Sequence, residues 1–164
     1  MATEQVDARP LLTSALVTSA LVTGIDHVGI AVPDLDAAIE WYHTNLGMIL
    51  VHEEINEDQG IREAMLAISG APAGSAQIQL MAALDESSTI AKFIDKRGPG
   101  IQQIAYRVSD LGLLSDLLRA NGVQLVYETP RRGTANSRIN FIHPKHAGGV
   151  LVELVEAAHH QSPS

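Results

Sequence analysis

The sequence contains no cysteine. Disulfides, thiolate zinc sites and cysteine nucleophiles are therefore excluded, and any metal must be held by imidazole, carboxylate or amide oxygen. Basic residues are scarce. Eleven Lys and Arg face 19 Asp and Glu, a formal net charge of -8, which argues against nucleic-acid binding. The shortage is uneven: residues 1–91 hold two bases (Arg9, Arg62) against 13 acids, whereas residues 92–164 hold nine against six. A polyanionic small molecule is more welcome at the second half. Long apolar runs are also missing. The stretch from Leu11 to Val22 falls short of the roughly 20 apolar residues that span a membrane. Before it, Glu4 and Asp7 accompany Arg9, so the basic region of a secretory signal is lacking. No membrane association is expected, and the expected location is cytoplasmic.

What is present is a repeat. The 164 residues, 46% hydrophobic, suit one globular domain. Within them Gly24-Ile-Asp-His-Val-Gly-Ile-Ala-Val-Pro-Asp-Leu35 returns 76 positions later as Gly100-Ile-Gln-Gln-Ile-Ala-Tyr-Arg-Val-Ser-Asp-Leu111. After a one-residue deletion, Gly47, Leu50, Val51 and Glu53 match Gly122, Leu125, Val126 and Glu128. A further shift aligns Ile78-Gln-Leu-Met81 with Val152-Glu-Leu-Val155.

Each half reads as strand, helix, strand, strand, strand. In the first half the strands are Gly24–Val32, Met48–Val51, Ile61–Ser69 and Ala76–Ala82, with a polar turn from Glu53 to Gly60. Asp34 is the expected helix N-cap and Gly47 its stop. A linker with a short amphipathic helix follows, using Ile90, Phe93 and Ile94 as its buried side. The second half predicts strands at 101–108, 123–127, 138–142 and 150–155, with a helix over Leu111–Ala120. The fold class is α+β: two tandem βαβββ modules around a shared, curved mixed sheet. Residues 1–23 are expected to be a flexible extension and 24–156 one domain, with module one at 24–83, linker at 84–99 and module two at 100–156. Residues 157–164 are read as a disordered tail.

The repeat also selects polar residues. Period two sets Val28, Ile30 and Val32 on one face of the first strand, and His27, Gly29 and Ala31 on the other, where small neighbours leave space. His27 aligns with Gln103, and Gln79 with Glu153. Glu153 interrupts the run Gly149-Val-Leu-Val-Glu-Leu-Val155, where a buried carboxylate needs a cation or a strong donor. Singly, these are ordinary strand residues. At four duplicated positions they form a site whose imidazole, amides and carboxylate suit a divalent cation.

These residues, with Asp26-His-Val-Gly-Ile-Ala-Val32, Glu57-Asp-Gln-Gly-Ile-Arg-Glu-Ala-Met-Leu66, Pro130-Arg-Arg-Gly133 and Asn140-Phe-Ile-His-Pro-Lys145, carry a resemblance over residues 24–156. The chain resembles the methylmalonyl-CoA epimerases of the vicinal oxygen chelate superfamily. The resemblance implies metal ligands at His27, Gln79, Gln103 and Glu153, and a divalent ion (Co, Mn, Ni, Zn or Mg). One departure concerns Gln102-Gln103, where the family carries two histidines; Gln103 so replaces a histidine ligand, and the expected result is lower metal affinity or a preference shifted toward oxygen-loving ions. The implied reaction interconverts the 2R and 2S forms of methylmalonyl-CoA by α-proton abstraction through a metal-stabilised enolate, with Glu63 and Glu153 as the catalytic acid–base pair. The implied partners are an acyl-CoA substrate and a second copy of the chain in a homodimer. Lys92, Lys96, Arg97, Arg131 and Arg132 are candidates for the coenzyme's phosphates. The competing readings are a glyoxalase-like isomerase, disfavoured by Gln79 and the Glu63 motif, and a metal-free binding protein of the same fold.

Overall fold

The structure is a computed structural model that describes residues 18–158. Of the flexible extension expected at 1–23 and the disordered tail expected at 157–164, residues 1–17 and 159–164 lie outside the described residues; residues 18–21 are helical and 22–23 open the first strand. Strand β1 (Val22–Ala31) opens two residues before the Gly24 read from the sequence, because Leu21 is buried against Val108, Leu111, Leu114 and Leu154. Helix α1 (Leu35–Leu46) follows, then β2 (Met48–Asn56), β3 (Ile61–Ile68) and β4 (Gln77–Ala83). The linker carries α2 (Thr89–Arg97). Module two runs β5 (Gly100–Val108), α3 (Leu111–Ala120), β6 (Arg131–Arg132), a 3-10 turn (Thr134–Asn136), β7 (Arg138–Ile142) and β8 (Val152–Glu156).

Caps fix the helix ends. Asp34 accepts from Ala37 N at 3.0 Å and Asp110 from Leu113 N at 2.9 Å, each satisfying an orphan donor of the first turn. Gly47 leaves α1 in the left-handed region (φ 63°), where a side chain would be strained.

Among the described residues one eight-stranded sheet contains every strand, in the order β2-β3-β4-β1-β5-β8-β7-β6. The modules join where β1 and β5 run antiparallel, while β1–β4 and β5–β8 are parallel. The sheet is therefore mixed, and its halves repeat about that seam.

Period two then sorts the side chains. Ile30, Ala64, Leu66, Ile78 and Leu80 pack with Leu35, Ile39 and Tyr42 under α1. Tyr106, Val152 and Leu154 pack with Leu111, Leu114 and Leu117 of α3. Each module thus has its own apolar layer on the helix side. The alternate residues line the other face, where Ala31, Ile61 and Met81 meet Ile90, Phe93 and Ile94 of α2. Ala105, Ile139, Phe141 and Val155 form the matching group of module two.

Two expected elements differ. β2 continues through Asn56, absorbing half of the predicted polar turn, since Glu53 and Glu54 pair with Ala64 and Glu63 across the ladder. The strand predicted at 123–127 is reduced to a single bridge, Leu125 to Ile142. Two backbone bonds flank it, Val126 N to Phe141 O at 2.8 Å and His143 N to Gln124 O at 3.0 Å, and beyond them the Asn140 side chain continues the pairing, accepting from Tyr127 N at 3.1 Å and donating to Tyr127 O at 2.9 Å.

Candidate active site

The four residues selected by the repeat converge. His27, Gln79, Gln103 and Glu153 are all at most 5% exposed, and they come from the adjacent strands β1, β4, β5 and β8. His27 Nε2 lies 3.0 Å from Glu153 Oε2 and 3.4 Å from Gln103 Nε2. Gln103 Nε2 also donates to Glu153 Oε2 and, at 3.3 Å, to Gln79 Oε1.

A bulge orients the histidine. Ile25 pairs with Tyr106 and His27 with Ala105, so β1 spends one extra residue, Asp26, against β5. That break in the pleat lets adjacent side chains meet: Asp26 Oδ2 lies 2.8 Å from His27 Nδ1. Arg107 holds the carboxylate from behind, donating from Nε to Asp26 Oδ1 at 3.1 Å and from Nη1 to Gly74 O at 3.2 Å. Burial alone would lower the His27 imidazolium's pKa, but hydrogen bonds and charge from Asp26 and Glu153 outweigh it and raise the group to about 9.

A second bulge places the glutamines. Gly29 pairs with Gln103 but Ile30 with Ile101, so Gln102 is the extra residue on β5, and both glutamines border the cavity. Gln102 Oε1 is buried with no hydrogen-bond partner among the described residues. The space expected beside His27 exists because position 29 is glycine, yet protein fills it. A Cβ there would lie 2.6 Å from Gln103 Cγ and 2.9 Å from Met81 Cε.

Glu63 is 1% exposed and reaches the same cavity from β3. Burial raises its pKa above the usual carboxylate range. A hydrogen bond with Thr134 opposes this, and the negative charges of Glu54 and Glu153 add to it. Gln79 Nε2 donates to Glu63 Oε2 at 2.6 Å and to Thr134 Oγ1 at 3.0 Å. With both amide hydrogens so used, Gln79 turns its oxygen toward the centre of the quartet.

The cavity measures about 140 Å³ and is floored by Glu63, Gln79, Gln103 and Glu153, with Ile90, Tyr127, Phe141 and Leu151 among its apolar walls. Drug-sized ligands occupy about 300–1,000 Å³, so this space suits a short branched group and leaves the bulk of a large ligand outside.

The donor set fits a divalent cation by its chemistry. One imidazole nitrogen, one carboxylate and two amide oxygens suit a hard or borderline ion, provided the Gln103 amide turns over to present oxygen instead of nitrogen. Among the described residues no three His, Cys, Asp or Glu side chains form a metal cage, so the amides are indispensable to any such site.

Sequence reasoning missed Asp26, Arg107, Thr134 and Glu54. Asp26 should point away from His27 by period two, and only the bulge brings it back. Thr134 lies in a loop with no periodicity to read.

Comparison with known proteins identifies the family. Residues 26–141 match the glyoxalase/bleomycin resistance protein/dioxygenase superfamily. The ethylmalonyl-CoA/methylmalonyl-CoA epimerase of Cereibacter sphaeroides is 32% identical, covering 82% of this chain and 98% of that one. The chain belongs to the methylmalonyl-CoA epimerase family of this superfamily. Among solved structures, the methylmalonyl-CoA epimerase from Mycobacterium tuberculosis is 75% identical, with a TM-score of 0.82 and coverage of 86% of this chain and 92% of that one. Another epimerase of the family, solved in complex with methylmalonyl-CoA and NH4+, is 43% identical with a TM-score of 0.80, covering 87% and 99% of the two chains. The mixed α+β fold seen here matches that of these epimerase structures.

Proposed function

We propose that the chain is a methylmalonyl-CoA epimerase, with Glu63 and Glu153 as the acid–base pair. The observation that carries this is the placement of two buried carboxylates, one from each module, on a single small cavity beside the polar quartet. Epimerisation removes the C2 proton of the acyl group from one face and returns a proton to the other. Glu63 takes the proton, forming an O–H bond as the C2–H bond breaks, and the electron pair moves toward the thioester and carboxylate oxygens. Glu153, protonated at that moment, then gives its proton to the opposite face; the reverse direction exchanges the roles. Burial favours this use of Glu63, since a carboxyl with a raised pKa both accepts and releases a proton nearer neutral pH.

His27, Gln79, Gln103 and Glu153 are the residues that would hold a divalent ion. Bound there, it would act as a Lewis acid on the substrate's oxygens. Asp26 fixes the imidazole ring, and Thr134 and Glu63 fix the Gln79 amide. Gln103 favours an oxygen-preferring ion such as Mg or Mn over the softer alternatives.

The coenzyme arm leaves the cavity, and Lys92, Lys96 and Arg97 on α2 with Arg131 on β6 are the cations proposed to meet its phosphates. Arg131 lies 5.0 Å from the centroid of the Tyr127 ring, at the cavity wall. Arg132 is engaged by Glu54 at 3.1 Å. A homodimer is proposed as well, on the apolar residues Ile49, Leu50, Val51 and Ile55 that the free edge strand β2 exposes.

The deciding experiment is deuterium uptake at C2 of methylmalonyl-CoA in D2O with divalent metal supplied. Wild type should exchange, and Glu63→Ala should be slower by about 10²–10⁴-fold. Absence of exchange in wild type, or equal rates in the variant, refutes the assignment.

A further inference from the structure

In the strand order β2-β3-β4-β1-β5-β8-β7-β6 the two ends of the sheet are β2 and β6. The sheet curls until those free edges meet, and they meet on one side chain. Glu54 of β2 accepts through Oε1 from Arg132 Nη2 of β6 at 3.1 Å. Through Oε2 it accepts from the backbone N–H of Ala135 at 3.1 Å and from His52 Nε2. Its side chain is 14% exposed. Burial opposes the negative charge, but His52, the Ala135 N–H and Arg132 outweigh it and hold the carboxyl below its usual range.

The segment so gripped is bent against its own preference. Ala135 (φ 52°) and Asn136 (φ 60°) both occupy the left-handed region, which alanine rarely adopts. Gly133 fits only without a side chain, since a Cβ would lie 2.5 Å from Ile139 Cγ2 and 2.7 Å from Ser137 Oγ. Strained backbone of this kind persists where its surroundings over-determine it. Glu54 is among the surroundings supplied by the other module.

Between Arg132 and Ala135, the two points Glu54 holds, lies Thr134. Its Oγ1 accepts from Gln79 Nε2 at 3.0 Å. Gln79 has a single oxygen to offer the quartet, and Thr134 with Glu63 decides which end of the amide faces inward.

We propose that Glu54 is a positioning residue: its carboxylate latches the Arg132–Ala135 segment across the two free edges of the sheet, so that Thr134 keeps the Gln79 oxygen turned toward His27, Gln103 and Glu153. This inference rests on the epimerase reading for its consequence in turnover, and on geometry alone for the latch itself.

The test uses Glu54→Ala, Glu54→Gln, Thr134→Val and the double variant Glu54→Ala/Thr134→Val of the full chain. C2 deuterium exchange of methylmalonyl-CoA and amide hydrogen exchange over residues 131–137 are measured for each, with a melting curve to confirm folding. Glu54→Ala should lower kcat by about tenfold to a hundredfold while KM moves less than about threefold. It should also lose protection at the Ala135 amide. Glu54→Gln, which keeps an oxygen for Ala135 N–H, should recover most of both. The double variant should be no slower than Thr134→Val, because Glu54 acts through Thr134. Unchanged kcat in folded Glu54→Ala, unchanged Ala135 protection, or multiplying losses in the double variant would each overturn the proposal. If Glu54→Ala fails to fold, Glu54→Gln and Arg132→Ala carry the same measurements. If wild type exchanges no substrate deuterium, the epimerase reading fails, and Ala135 protection alone decides the latch.

Discussion

Glu63 buries a carboxyl whose only charged neighbours named in raising its pKa are themselves acids, Glu54 and Glu153. A carboxyl raised in this way binds its proton more readily in the folded chain than in the unfolded one. Its cost to stability is therefore absent below the ordinary value of 4.5 and grows as pH rises toward the folded value. Glu63→Gln should melt higher than wild type at pH 7, by about 2–4 °C for each kcal/mol recovered, with the difference closing near pH 4, while C2 exchange is lost. Such a trade of stability for activity marks a functional residue, whereas equal melting at pH 7 would remove the claim that Glu63 is strained there. His27 acts in the same direction: its stabilisation is present below 6.5 and is lost as pH climbs toward about 9. His27, Gln79, Gln103 and Glu153 were legible because the repeat exposes polar residues at equivalent buried positions. Glu63 was not legible that way. Met65 pairs with Gln79 as Phe141 pairs with Glu153, and Glu63 pairs with Met81 as Ile139 pairs with Val155. Its counterpart is thus Ile139, and only the family resemblance named it.

Among the elements, β1, β4, β5, β8 and the helices α1, α2 and α3 follow from period and caps. Apart from β2, which runs past its expected end at Val51 to Asn56, the failure lies in module two between α3 and β7. Val123 to Tyr127 has the composition of a strand, but Pro130 soon removes a donor and Asn140 supplies a substitute for the ladder. Asn140 is 0% exposed, and its side chain makes two bonds to the Tyr127 backbone and accepts a third from Phe141 N at 2.8 Å. No backbone periodicity announces a segment whose pairing is shared between two backbone bonds and one side-chain amide. Asn140→Ala should cost about 1–3 kcal/mol by taking the acceptor from the part-buried Tyr127 N–H and leaving its carbonyl to Arg119 alone. Urea unfolding gives the number. Because Tyr127 also walls the cavity, KM for methylmalonyl-CoA should rise with it. A variant as stable as wild type would show that the segment is held by its apolar contacts instead.

At the scale of the molecule, the charge split between the halves was legible, whereas the way the sheet closes was not, since strand order does not tell where two free edges touch. The exposed edge gives a separate expectation. Val51→Lys, on a residue 48% exposed, should leave melting unchanged and convert a dimer to a monomer in sedimentation velocity. A monomeric wild type, or a dimer indifferent to the lysine, places any self-association elsewhere.

The seam between β1 and β5 also says something about how such a chain can change over generations. A lone βαβββ unit would have to meet its own copy to build a four-cornered site, and every substitution would then appear twice. Once both units lie on one chain, each corner drifts alone. His27 against Gln103, Gln79 against Glu153 and Glu63 against Ile139 are three places where the backbone kept its two-fold kinship and the side chains parted company.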